Sequence, residues 1–196
     1  MADISLWIAE LADPDPAKRS AAAHAVRAAA FTACFSGLND WIRDPAFREL
    51  TFPSTNETGP AFVVGIAVEP HHFDRLRLAN GSPRLQDVPP NQDAIEFELH
   101  FGEEGDLDIL TTRDLKGAGA IARYLEKFGE GIQQVEINVR DVDRATDLLV
   151  RRFGLRPIYP RTQAGANQTR VNFFLAPAQG GKKCLIELVE PASKRF

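Results

Sequence analysis

Residues 128–139 read FGEGIQQVEINV, from Phe128 to Val139, and this stretch decides the fold. Gly129 and Gly131 flank Glu130 and free the backbone for a sharp turn. Beyond the turn, Val135, Ile137 and Val139 alternate with Gln134, Glu136 and Asn138. A period of two is the signature of a strand, here with one apolar face and one fully polar face. Two surroundings suit the polar row: open solvent, as on a one-sided sheet, or the wall of a cavity that takes a polar molecule.

Outward from this strand the pattern repeats. Downstream come a helix over about Val142 to Phe153 and strands near Arg156 to Tyr159, Thr169 to Leu175 and Cys184 to Val189, separated by the turns RTQAGANQ and APAQGGKK. Upstream, Gly117 to Phe128 reads as a connecting helix, preceded by strands at Phe62 to Val68, Ala94 to Phe101 and Asp106 to Thr111 and a short helix at His71 to Ala79. Both halves follow the order strand, helix, strand, strand, strand.

The first 50 residues read as helical. Asp15 suits a cap and Pro16 a first helical position, opening a long alanine-rich run that ends near Gly37. Alanine permits close approach but buries little area per residue, so this helix needs a surface to pack on. LADPDPAKRSAAAHAV looks like the opening of a HEAT-type repeat, but no second copy follows. A further short helix falls around Pro45 to Leu50. The segment reads either as a lid or dimerisation element or as a structural brace. The turn-rich FPSTNETGP at 52–60 marks a boundary, giving a helical extension over 1–58 and a domain over 59–196.

Lysine and arginine number 23 against 27 aspartates and glutamates, for a net charge of −4, with no basic block. This argues against a nucleic-acid partner. No apolar run is long enough to span a membrane, and MADISLWIAELADPD lacks the basic start and apolar core of a secretory signal. Cys34 and Cys184 stand far apart with no CxxC and no neighbouring histidine, which indicates no disulfide scaffold and suits a reducing cytoplasm. The expectation is a soluble, cytoplasmic protein.

IARYLEKFGEGIQQVEINV at 121–139, followed by RVNFFLAPAQGGKKCLIELVEP at 170–191, resembles the vicinal oxygen chelate superfamily. Within it the likeness is to methylmalonyl-CoA epimerases, whose linker and second module carry a phrase such as FLEK-GEGIHH and a later IEL. The resemblance implies an α+β, glyoxalase-like fold: two paired βαβββ modules forming an open cup-like sheet, here with an N-terminal helical extension. Module one would cover 61–113, the linker helix 117–128 and module two 129–191. It also implies a homodimer and a divalent metal (Zn, Fe, Mn, Co or Ni) held inside the cup, which would polarise a substrate carbonyl or enolate.

Carried across residue by residue, the family's first histidine ligand falls on Val63, its first-module carboxylate or amide on Asp108, its second-module histidine on Gln134 and its last ligand on Glu187. The resemblance thus implies Asp108, Gln134 and Glu187 as the metal ligands. The family's proton-abstracting glutamate falls on Asn91, which cannot act as a base. Glu187, between Leu185 and Val189, needs a cation or hydrogen-bond donors; a metal and a salt bridge to an arginine such as Arg170 both answer that need. His100 shares a strand face with Glu96 and Glu98 and either completes a metal site or lies on a hydrated edge. His71 and His72 follow Pro70 at a helix start, where capping or exposure accounts for them. Gly117-Ala-Gly119 before a helix offers backbone N–H groups to a phosphate or serves as a linker.

The reading is a glyoxalase-like protein that binds a small oxygen-rich molecule, such as an acyl thioester or 2-oxo acid, with metal-assisted lyase, isomerase or dioxygenase-type chemistry. Glu187 and Glu136 are the catalytic candidates, and His100, Asn138 and Asn172 the substrate-binding ones. The rivals are a metal-free sequestering protein of the resistance type, favoured by Val63 and Asn91, and a non-catalytic interaction protein.

Overall fold

The computed structural model describes residues 4–35, 39–52, 61–102, 105–177 and 183–192. Its elements in chain order are α1 (Ile4–Glu10), α2 (Pro16–Phe35), α3 (Asn39–Ile42), α4 (Pro45–Leu50), β1 (Phe62–Ala67), α5 (Pro70–Ala79), β2 (Ile95–His100), β3 (Asp106–Thr111), α6 (Ala120–Phe128), β4 (Gly131–Asn138), α7 (Val142–Phe153), β5 (Gln163–Ala164), β6 (Arg170–Pro177) and β7 (Lys183–Glu190). The architecture is the α+β, glyoxalase-like one, with helices at the N-terminus. The chain forms two compact units, Met1–Ala29 with Val64–Gln133, and Ala30–Val63 with Gln134–Phe196. Residues 1–29 of the N-terminal helical segment fall in the first unit and residues 30–58 in the second. Most of the boundary expected at 52–60, and the middle of the turn expected at 176–183, lie outside the described residues.

In the first unit, β3 lies between β1, which it pairs in parallel, and β2, which it pairs antiparallel. Alternation sorts the side chains. Phe97, Leu99, Leu107 and Ile109 are buried, and α5 lays Phe73 edge-on to Phe97 with ring centroids 4.8 Å apart. Glu96, Glu98 and His100 consequently line the face of β2 away from α5. Residues 83–90 follow no regular element but run beside β2, where Gln86 N donates to Glu96 O at 2.9 Å.

The glycine turn is tied into this unit by Glu130. Its carboxylate accepts from the Glu69 backbone N–H at 2.8 Å and meets His72 Nδ1 at 2.7 Å. Both bonds hold the start of α5. Gly129, with φ of 71°, ends α6 in a region closed to most side chains. Tyr124 donates its hydroxyl to Ile132 O at 2.7 Å, and burial pushes its pKa up to about 12.

In the second unit, β7 is flanked by β4 in parallel and β6 antiparallel, with β5 beyond β6. Val135, Ile137, Phe174, Ile186 and Leu188 are buried, with Ala145 and Leu149 of α7. Asp141 caps α7 through the Arg144 N–H at 3.0 Å, and Gly154 closes it in the left-handed conformation. Asp44 caps α4 and also pairs with Arg152 of α7 at 2.7 Å. The strand expected at Arg156 to Tyr159 is reduced to one bridge, Pro157 to Phe174. Pro157 and Pro160 bring no N–H to a ladder, and pairing resumes only at β5.

The expectation of unpaired cysteines is overturned. Cys34 at the end of α2 and Cys184 at the start of β7 form a disulfide, with Cα atoms 5.4 Å apart and 150 residues apart in sequence. That separation hid the pair, and the bond removes the cysteine argument for a reducing compartment. Among the described residues no helix is long and apolar enough to cross a membrane.

Two predictions follow from these contacts. Alkylation of the denatured, unreduced protein should label neither cysteine, and Cys34→Ser with Cys184→Ser should lower unfolding free energy by about 2–5 kcal/mol; labelling of both in the unreduced protein would contradict the pairing. The second concerns Glu96, whose carboxyl is raised from 4.5 to about 7 by burial and then by the charge of Glu98. A carboxyl raised on folding contributes fully below its unfolded pKa, and that contribution is lost as pH rises through the folded pKa, here between 4.5 and about 7. Glu96→Gln should therefore gain on the parent protein as pH rises across this window in chelator-treated buffer, by up to about 3 kcal/mol. Denaturant unfolding at several pH values reads the difference, and parallel pH profiles for the two proteins would contradict it.

Candidate functional site

The polar row of β4 lies on the face of its sheet away from α7. Register places Gln134 beside Leu185, Glu136 beside Glu187 and Asn138 beside Val189. Gln134 and Glu187 are both buried, and the Gln134 amide donates to Glu187 Oε2 at 2.5 Å. This bond holds a carboxylate whose neighbours on the same face are Leu185 and Val189 along β7 and Phe173 across on β6. A second carboxylate, Glu136, stands next to it, and Asn138 follows two residues on. Such a row offers proton acceptors beside an amide able to bond an oxygen.

Two sequence-based expectations change here. Asn172 pairs with Leu188 in the ladder and so points to the opposite face, where its Nδ2 meets Thr146 Oγ1 of α7 at 3.5 Å. It does not share a face with Glu136. Arg170 does not serve Glu187: it bonds Glu190 at 2.9 Å and also pairs with Asp143. Thr162 donates to the same Asp143, and these two bonds hold its carboxyl below the usual range.

In the first unit, Asp108 is buried and accepts from Gln86 Nε2 at 3.3 Å. Glu98 is opposite Asp108 in the ladder, and His100 is opposite Asp106. His100 Nδ1 lies 2.9 Å from Asp106 Oδ1, and His100 Nε2 lies 4.0 Å from Glu98 Oε2. Hydrogen bonding to Asp106 raises the His100 pKa. Burial raises that of Glu98, partly offset by His100. One ligand atom from each of Glu98, His100 and Asp106 falls within 4.8 Å of the others, a group able to hold a metal ion. Val63, at the position of the family's first histidine, is buried and apolar. Asn91 is exposed in a turn.

Gly117-Ala-Gly119 loses its phosphate reading. A Cβ on Gly119 would lie 1.9 Å from Asp93 Oδ2, so glycine is there to admit a carboxylate. Asp93 in turn accepts from Thr112 Oγ1 at 2.8 Å and from Arg113 N at 3.2 Å. The sequence reading also missed Gln86, Asp106 and Glu130. Asp106 was within reach, because a short hairpin returning from His100 sets the next strand against it. Glu130 and His72 are 58 residues apart, and no local pattern links them.

No protein-family model matches the sequence, and no curated protein matches it. Solved structures do. A methylmalonyl-CoA epimerase from Mycobacterium tuberculosis is 32% identical, with 67% of this chain and 87% of that chain aligned and a TM-score of 0.55. A hypothetical protein from Bacillus halodurans C-125 is 25% identical over 68% of this chain and 95% of its own, also at 0.55. A Streptomyces coelicolor methylmalonyl-CoA epimerase variant in complex with 2-nitronate-propionyl-CoA, 22% identical over 67% and 96% with a TM-score of 0.52, shares the fold. With the glycine turn, the alternating β4 and the LIELVE strand found in their expected places, the chain belongs to the vicinal oxygen chelate superfamily, and its likeness within it is to methylmalonyl-CoA epimerases.

Proposed function

We propose that this protein binds a small acyl thioester against the polar face of β4 and β7 and moves the proton next to the thioester carbonyl, an isomerase-type reaction. The observation that carries the reading is the Gln134 to Glu187 hydrogen bond with Glu136 in register beside it. The likeness to the Mycobacterium tuberculosis methylmalonyl-CoA epimerase supports the substrate class. Glu136 accepts the proton from the α-carbon and the C–H electron pair passes into the enolate; a proton from solvent then adds to the other face of that carbon, regenerating the thioester with inverted configuration, and Glu136 releases the abstracted proton to solvent. Asn138 donates to the carbonyl oxygen as charge develops there. Glu187, fixed by Gln134, orients the polar row. A homodimer is the assembly this reading carries.

The metal implied by the resemblance does not fit the donor set at the family's positions. Val63 supplies no ligand atom, Gln134 turns its amide N–H toward Glu187, and Asp108 is engaged by Gln86. The proposed step therefore runs on the protein's own side chains. Val63 and exposed Asn91 favour a second reading, in which the thioester is bound and held without reaction.

Methylmalonyl-CoA incubated with the protein in heavy water should acquire deuterium at its α-carbon, read by mass spectrometry, while calorimetry reads binding. Glu136→Gln should keep binding and reduce exchange by about 10²-fold or more. Binding without exchange in the parent protein would replace the isomerase reading with the sequestering one, and absence of both would overturn the two together. Gln134→Leu leaves Glu187 buried without this donor, and unfolding free energy should drop by about 1–3 kcal/mol; an unchanged denaturation midpoint would show that the bond contributes nothing.

A further inference from the structure

We propose that the face of β2 and β3 away from α5 carries a divalent-cation site formed by Glu98, His100 and Asp106, separate from the position at which the superfamily holds its metal. Three features converge on it. The antiparallel register sets His100 directly against Asp106 and places Glu98 one pleat further along the same face. The three ligand atoms lie within 4.8 Å of one another. Ligands at about 2.1 Å from one ion are at most about 4.2 Å apart, so rotamer adjustments well under 1 Å per side chain bring all three into contact with it.

The second feature is chemical. Two carboxylates and an imidazole form a mixed oxygen and nitrogen donor set, which suits Zn²⁺ or Mn²⁺ and leaves positions open for water. The third is Glu96, two residues before Glu98 on the same strand face and 9% exposed. Among the described residues no hydrogen-bond donor meets its side-chain carboxylate, although its backbone oxygen accepts from Gln86. Its negative charge adds to that of Glu98, and a cation on this face offsets both. With Asp108 opposite Glu98, the face gathers four carboxylates around one imidazole, and a cation offsets their repulsion.

The site is independent of the thioester reading, and its test reads binding directly. Untagged protein, stripped with chelator, is titrated with Zn²⁺ and separately with Mn²⁺ by calorimetry. One ion per chain should bind, and His100→Ala and Asp106→Asn should each weaken binding at least tenfold. The His100 side chain is 70% exposed, so its removal leaves the core intact, and the thermal midpoint without metal should match that of the parent protein. Added Zn²⁺ should raise that midpoint in the parent and not in the variants. Glu187→Gln should bind as the parent does. No binding by the parent, equal binding by the His100→Ala and Glu98→Gln double variant, or a loss confined to Glu187→Gln would each overturn the proposal.

Discussion

The parallel register between β4 and β7 is the constraint on which the second unit depends. It sends Val135 and Ile137 toward α7 and Gln134, Glu136 and Asn138 the other way, and it places Glu136 beside Glu187. A slip of one residue would exchange the two sets and bury a carboxylate where Ile137 now packs. The hydrophobic term that fixes the core therefore also positions the polar row. The Gln134 to Glu187 bond is available only because that register is held from the opposite face.

The first unit applies the same rule with a different outcome. Phe97, Leu99, Leu107 and Ile109 fill the side under α5, and the alternation that buries them collects Glu96, Glu98, His100, Asp106 and Asp108 on the other side. One sheet face carries amides beside its carboxylates. The other carries acids around an imidazole. The two differ in what they need: the β4 row satisfies Glu187 internally, whereas the β2 face leaves Glu96 without a donor among the described residues.

What was legible in the sequence was what has a short period. Alternation predicts a strand over 132–139 and helical spacing a helix over 142–153, which places β4 and α7 to within a residue, and Asp141 and Gly154 stand at the ends where caps belong. The pattern also put Glu187 among apolar neighbours, and hence in need of a partner. It could not say which partner, because Gln134 lies 53 residues away and Arg170, nearer in sequence, is drawn to Asp143 and Glu190 instead. The face that Asn172 takes was hidden for a related reason: its parity along β6, which puts it on the side of α7, shows only once the register with Leu188 is fixed. Pro157 and Pro160 show local chemistry defeating an apparent strand.

The Cys34 to Cys184 bond has a topological side. It closes 150 residues of separation into one covalent ring that contains all of β1 through β6. A peptide bond cut anywhere inside that ring opens a loop but releases no fragment, so the two pieces stay joined as one molecule for as long as the sulfurs remain oxidised. The segments outside the ring, α1 with most of α2 at one end and the rest of β7 at the other, have no such tether. Exchange of a module with a second copy of the chain would have to carry this ring along whole or wait for its reduction.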